Sequence, residues 1–194
     1  MKKIIYFLVF LLVCIESNAQ TLNWSATQAI SSGSQSGYDR PRVVTTANNS
    51  PLIMWTKTST PKSVRVSKWN GTSFSIPYNI VSPVLEVTGF IGPEIASKGD
   101  TVYVIFLSAR SPNNYVYLIS SFDGGLTFSD TVRVSDNSNT YKFSMPNVTV
   151  NTDGNPIVSY MTCTNSWTDW EQMVKVSSDF GNTFSSAFDV SALA

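Results

Sequence analysis

Not one of the 194 residues is a histidine, so any chemistry in this chain rests on carboxylates, arginines, tyrosines or backbone groups. Ser-His-Asp and Cys-His relays are excluded, and so is every histidine-based metal site. No glycine-rich phosphate loop follows a strand-like segment. Of the two cysteines, Cys163 lies in the apolar run 156–163 and reads as a small buried hydrophobe. These absences predict no metal and no cofactor, and no catalytic residue is assigned. What the chain offers is contact chemistry. Arg40, Arg110, Tyr115, Trp167, Asp169 and Trp170 place cations, a carboxylate and large rings in segments that read as loops. An arginine can grip a carboxylate through two parallel hydrogen bonds, and a ring beside polar groups suits stacking on a sugar face. Trp167-Thr-Asp-Trp170 is the densest such cluster, because two indoles in a polar loop are unusual without a use.

The elements that would position these residues are announced by an octapeptide. Ser121-Phe-Asp-Gly-Gly-Leu-Thr-Phe128 and Ser177-Ser-Asp-Phe-Gly-Asn-Thr-Phe184 both read S-x-D-x-G-x-T-F. A worn copy keeps Ser67, Gly71 and Phe74 but carries Trp69 in place of the aspartate. Recurrence at a period of about 55 residues signals stacked structural units. The physics of the motif is that of a turn between antiparallel strands. Asp123 and Asp179 can accept hydrogen bonds from nearby backbone N–H groups. Gly125 and Gly181 can take positive φ at no steric cost. Thr127, Thr183 and the leading serines can satisfy further loop groups. Phe128 and Phe184 would plug each turn into its sheet, with a gain of about 2–3 kcal/mol apiece if fully buried.

Around each turn the sequence reads as four strands. The units open at Tyr38-Asp-Arg-Pro41, Phe90-Ile-Gly-Pro93 and Phe143-Ser-Met-Pro146. Proline lacks a donor, so each is expected at the first residue of a strand. A second strand follows at 52–56, 102–107 and 157–162, rich in Val, Ile, Tyr, Phe and Trp. A third leads into the octapeptide with alternating apolar residues, as at Val64 and Val66 or Val174 and Val176. A fourth leaves it with its own signature. Phe128-Ser129 is followed by Val134-Ser135, and Phe184-Ser185 by Val190-Ser191. The prediction is an all-β fold of three four-stranded units at 38–82, 90–135 and 143–191. Segment 22–31 carries the fourth-strand signature alone and is expected as an orphan closing strand.

The octapeptide resembles the Asp box of the sialidase-like β-propellers, also called the bacterial neuraminidase repeat. That resemblance implies a β-propeller with Asp boxes on the blade periphery, away from the ligand end. Three blades would make half of a six-bladed ring. The rest would come from remaining blades of a longer protein, of which this is the N-terminal part, or from a second copy. In the family's enzymes three arginines clamp the substrate carboxylate, a Tyr/Glu pair is the nucleophile and an aspartate is the acid/base. Asp39, Ile91 and Ser144 stand where the first arginine would be sought, and the loop after Arg110 carries Asn113 and Asn114 instead of a carboxylate. An amide cannot lend and regain a proton. The expected function is therefore a non-catalytic module binding glycans or a secreted or cell-surface protein. The alternative is a fragment of an exo-sialidase whose nucleophile and other arginines lie in missing blades.

Residues 1–19 read as a signal peptide. Lys2 and Lys3 precede an apolar run at 4–15, and Ser17-Asn18-Ala19 offers small residues before a cut at Gln20. The run is too short to span a bilayer comfortably, and Val13 before Cys14 does not suit a lipoprotein signal. Secretion follows as the expectation. Thirteen basic and thirteen acidic residues leave no net charge, which argues against nucleic acid and, once the leader is cut, against membrane association.

Overall fold

The computed structural model describes residues 26–27, 29–30, 40–57, 62–81, 85, 87–88, 91–108, 114–136 and 140–193. The expected signal peptide at 1–19 lies outside them, as do Tyr38, Phe90 and Arg110. Within the expected closing strand 22–31, only residues 26, 27, 29 and 30 are described, and none of these is in a strand.

Among the described residues, twelve strands form three antiparallel sheets, each ordered as a simple meander. The first contains β1 (Arg42–Thr46), β2 (Ser50–Lys57), β3 (Ser63–Lys68) and β4 (Tyr78–Asn79). The second contains β5 (Glu94–Lys98), β6 (Thr101–Leu107), β7 (Val116–Ser121) and β8 (Val132–Arg133). The third contains β9 (Tyr141–Val150), β10 (Pro156–Thr164), β11 (Glu171–Val176) and β12 (Phe188–Asp189). Among the described residues, helix is limited to two short 3₁₀ turns. No helix among the described residues is long and apolar enough to cross a membrane.

The sheets stack face to face, and β6 shows why. Successive side chains of a strand point to opposite faces. Val102, Val104 and Phe106 join Leu52, Met54, Val64 and Val66 of the first sheet in one core. Their neighbours Tyr103, Ile105 and Leu107 join Phe143, Val148, Val158 and Tyr160 of the third sheet in another. A strand feeding two cores must be apolar at every position, and each aliphatic side chain fully buried there contributes roughly 1.5–3 kcal/mol. The first strands of the sheets run side by side, β1 against β5 and β5 against β9. Arg42 ties β1 to β5 through two hydrogen bonds to Glu94, at 2.7 Å from Nε and 2.5 Å from Nη2. Ser97 Oγ adds a bond to the Thr45 carbonyl at 2.7 Å.

Pro41 and Pro93 directly precede β1 and β5, but Pro146 corrects the expectation. It sits inside β9, whose pairing begins at Tyr141. Met145 and Pro146 together oppose Tyr160, and Met145 has φ of +45°. The proline occupies a bulge, where its missing N–H leaves no gap in the ladder.

The fourth strands are only two residues long because serines replace much of their ladder. Ser75, Ser129 and Ser185 each donate a backbone N–H to the preceding strand, to Lys68, Ser120 and Val176 carbonyls at 2.8, 2.8 and 2.9 Å. Each hydroxyl then accepts the N–H of that same residue at 3.0–3.1 Å. Ser135 repeats the device on Val116 N at 3.1 Å.

Candidate functional site

At one end of the sheets lie the two aspartate turns, and their wiring is nearly the same. Asp123 Oδ1 accepts from Ser121 Oγ (2.7 Å), Leu126 N (2.9 Å) and Thr127 N (2.9 Å). Its Oδ2 accepts from Thr127 Oγ1 at 2.6 Å. Asp179 Oδ1 accepts from Ser177 Oγ and Thr183 N at 2.8 Å each, and Oδ2 from Thr183 Oγ1 at 2.6 Å. Ser121 and Ser177 in turn accept from Gly125 N and Gly181 N, both at 2.8 Å. Those glycines have φ of +86° and +89°. Burial pushes the Asp123 carboxyl up, but the Thr127, Ser121 and Leu126 donors outweigh it and hold it far below the usual range. Thr183 and Ser177 likewise depress Asp179. Both carboxylates stay ionised and fully engaged, which suits a turn and not proton transfer.

The first unit solves the same problem differently. Asn70, not the residue at the aspartate position, accepts from Thr72 N and Ser73 N at 2.9 Å each. Trp69 packs edge-on against Phe74, with centroids 5.2 Å apart. Phe74 thus meets Trp69, and Gly71 carries φ of +104°. Ser67 Oγ donates to the Ser75 carbonyl at 2.7 Å and not to the turn. Phe128 and Phe184 are half-buried at the margins of the two cores.

Of the contact residues expected from sequence, Arg40, Tyr115, Trp167, Asp169 and Trp170 belong to the opposite end, where β1, β5 and β9 begin and the loops after β2, β6 and β10 turn back. They share that end but not one pocket. Arg40 has φ of +29°, and its aliphatic stem crosses Gly92 between the first and second sheets. Tyr115 is taken up by packing: its ring lies 5.9 Å from that of Phe143, with the Arg133 guanidinium 5.3 Å from its centroid. Arg110 lies outside the described residues.

Trp167, Asp169 and Trp170 form one structure on the β10–β11 loop. Trp167 N donates to the Thr164 carbonyl (2.9 Å), Thr164 N to the Thr168 carbonyl (3.0 Å) and Asn165 N to the Thr140 carbonyl (3.2 Å). These bonds hold Trp167 and Asp169 at φ of +61° and +56°, a costly region for residues with a Cβ. The two indoles are 50% and 41% exposed, with centroids 6.0 Å apart and planes inclined by 39°. Lys142 Nζ stands 4.6 Å from the Trp167 centroid. Lys142 also faces buried Cys163 across the β9–β10 ladder. Burial pushes the Cys163 thiol up, with Lys142 opposing.

Between the second and third sheets, at this same end, opens a cleft of about 180 Å³. Asp136 leads in from β8, Tyr141 from the start of β9, Tyr160 and Thr162 from β10, and Glu171 from the start of β11. Lys175 is buried and bonds Asp136 Oδ1 at 2.6 Å. Burial, and then the Asp136 charge, push the Tyr160 hydroxyl far above its ordinary value.

No known family profile matches the chain, and no curated protein resembles it in sequence. Solved structures do resemble it in shape. An ulvan lyase, a polysaccharide lyase with a GlcA–Rha3S saccharide bound, superposes with a TM-score of 0.54 at 10% identity. The match covers 75% of this chain and 42% of the lyase. A NanB sialidase from Streptococcus pneumoniae gives a TM-score of 0.49 at 10% identity, covering 76% of this chain and 23% of the sialidase. The chain thus spans less than half the length of these neighbours. The ulvan lyase likeness is one of fold, with the all-β arrangement of four-stranded sheets shared over part of the lyase.

The cleft residues Asp136, Tyr160 and Glu171 escape sequence reasoning because they come from strands far apart in the chain. Tyr160 reads as one more apolar residue of a buried strand. Only the alternation that places 158, 160 and 162 on one face could have hinted at their meeting.

Proposed function

We propose that this protein is a secreted, non-catalytic carbohydrate-binding module built from three blades of a sialidase-type propeller. The observation that carries this reading is the Trp167–Trp170 pair: two exposed indoles on a hydrogen-bonded loop, away from the aspartate turns. Rigid aromatic surface flanked by Lys142 and Asp169 suits sugar rings bearing polar substituents. The polysaccharide bound by the like-folded ulvan lyase supports the same ligand class. Export rests on the leader at 1–19.

The test is a glycan array probed with the full chain and with a Trp167→Ala/Trp170→Ala double variant. The reading expects at least one saccharide class to be retained by the parent and lost by the variant. Equal retention by both proteins contradicts it.

The outward faces of the first and third sheets expose Val43 (64%), Val176 (42%) and Phe188 (55%). Remaining blades of the same protein or a second copy would cover them and shield the sheet edges. A monodisperse, stable monomer in light scattering would contradict both arrangements.

A further inference from the structure

We infer that the cleft between the second and third sheets is a second saccharide site, one that takes an uncharged sugar through its hydroxyl groups. Tyr160 carries the inference. It is 2% exposed and lines the cleft, packed edge-on against Phe143 at 5.8 Å. Yet its hydroxyl has no hydrogen-bond partner among the described residues. The side chain is buried but its hydroxyl still meets the solvent of the cleft, since Thr56 Oγ1 and not Tyr160 is the buried side-chain polar atom left without a partner among the described residues. Tyr103, the corresponding kind of residue on the facing sheet, does bond the Gly154 carbonyl at 2.8 Å. The Tyr160 hydroxyl is therefore poised for a group that enters from solvent.

The rest of the lining defines what that group is. Asp136 commits one oxygen to Lys175 and leaves the other without a partner among the described residues. The Glu171 carboxylate has none there either. Both carboxylates present acceptor oxygens to solvent, the Asp136 side chain being 66% exposed, and a hydroxyl-rich ligand can supply donors in place of water. Among the described residues, the cation that reaches this lining, Lys175, is already bound to Asp136, so a carboxylate- or sulfate-bearing sugar would meet two acidic groups there. Tyr141, 44% exposed at the rim, offers a ring face for stacking. A volume of about 180 Å³ admits a terminal sugar unit better than the middle of a chain, being below the usual range for larger ligands.

This inference rests on the carbohydrate reading above but uses different residues, so the two can fail separately. The experiment is saturation-transfer NMR on the full chain. The neutral probes are the methyl glycosides of galactose, glucose, mannose and fucose, and the anionic probes are those of N-acetylneuraminic and glucuronic acid. At least one neutral glycoside is expected to bind, and Tyr160→Phe and Glu171→Gln are each expected to weaken it by about tenfold or more. Tyr160→Phe removes an atom that bonds none of the described residues, so its fold is preserved. Trp170→Ala should change the same affinity less than about threefold. Binding that is lost in Trp170→Ala and unchanged in Tyr160→Phe overturns the cleft and leaves the tryptophan reading intact. Tighter binding of the anionic probes through Tyr160, or no binding of any neutral probe, also overturns it.

Discussion

Asp123 shows how little a recurring carboxylate motif says about catalysis until its partners are seen. Every lone-pair direction faces a donor from its own turn, so its role is to close that turn. Asp123→Ala should lower unfolding free energy by about 1 kcal/mol, the usual cost of losing a capping side chain, in urea titration. The pH dependence has a definite sign. Its folded pKa lies below the unfolded value near 3.9, so the folded state binds fewer protons. Its stabilisation is complete above about pH 4 and is lost as pH falls further. The thermal midpoint of the parent should therefore drop more steeply between about pH 4 and pH 2 than that of Asp123→Asn. A second contrast isolates the Tyr160 hydroxyl. Tyr103→Phe should cost about 1 kcal/mol because it deletes a bond to Gly154, whereas Tyr160→Phe should cost nothing or stabilise slightly. Equal losses would mean that Tyr160 has a partner after all.

At the scale of elements, the aspartate turns act between sheets as well as within them. Gly125 lies against Leu52 of the first sheet, where an added Cβ would stand 2.6 Å from Leu52 Cδ2. Tyr78, whose hydroxyl is pushed up to about 12 by burial and then by Asp123, donates to the Gly125 carbonyl. Gly125→Ala should cost about 2–4 kcal/mol, combining left-handed strain with overpacking, as read from chemical denaturation. A loss below about 1 kcal/mol would show that the turn can slide. The period of the octapeptide and the apolar runs made the sheets legible before any coordinates. The serine pattern after each turn was equally visible, but its reason, hydroxyls taking over short ladders, was not. The Pro146 bulge was hidden because a proline before an apolar run looks the same at a strand start and at a kink. Asn70 was hidden because the motif points to position 69. The Trp167 loop could be found by residue type, while the cleft could not, since its members meet only after two sheets pack.

For the whole molecule, the proposed function divides it between two ends. One end locks neighbouring sheets through aspartate turns, and the other carries the aromatic loop and the polar cleft. Export should leave a definite mark: N-terminal sequencing of the secreted product should begin at Gln20, and an intact leader would contradict secretion by this route. The account's central claim is that saccharide meets the protein at the end bearing Trp167 and Trp170. Photo-cross-linking with a diazirine-tagged saccharide, chosen from the array, followed by peptide mapping, tests that location directly. The account predicts label within 136–173, on the loop after β10 or in the adjoining cleft. Label concentrated at 121–128 or 177–184, on the aspartate turns, would contradict it.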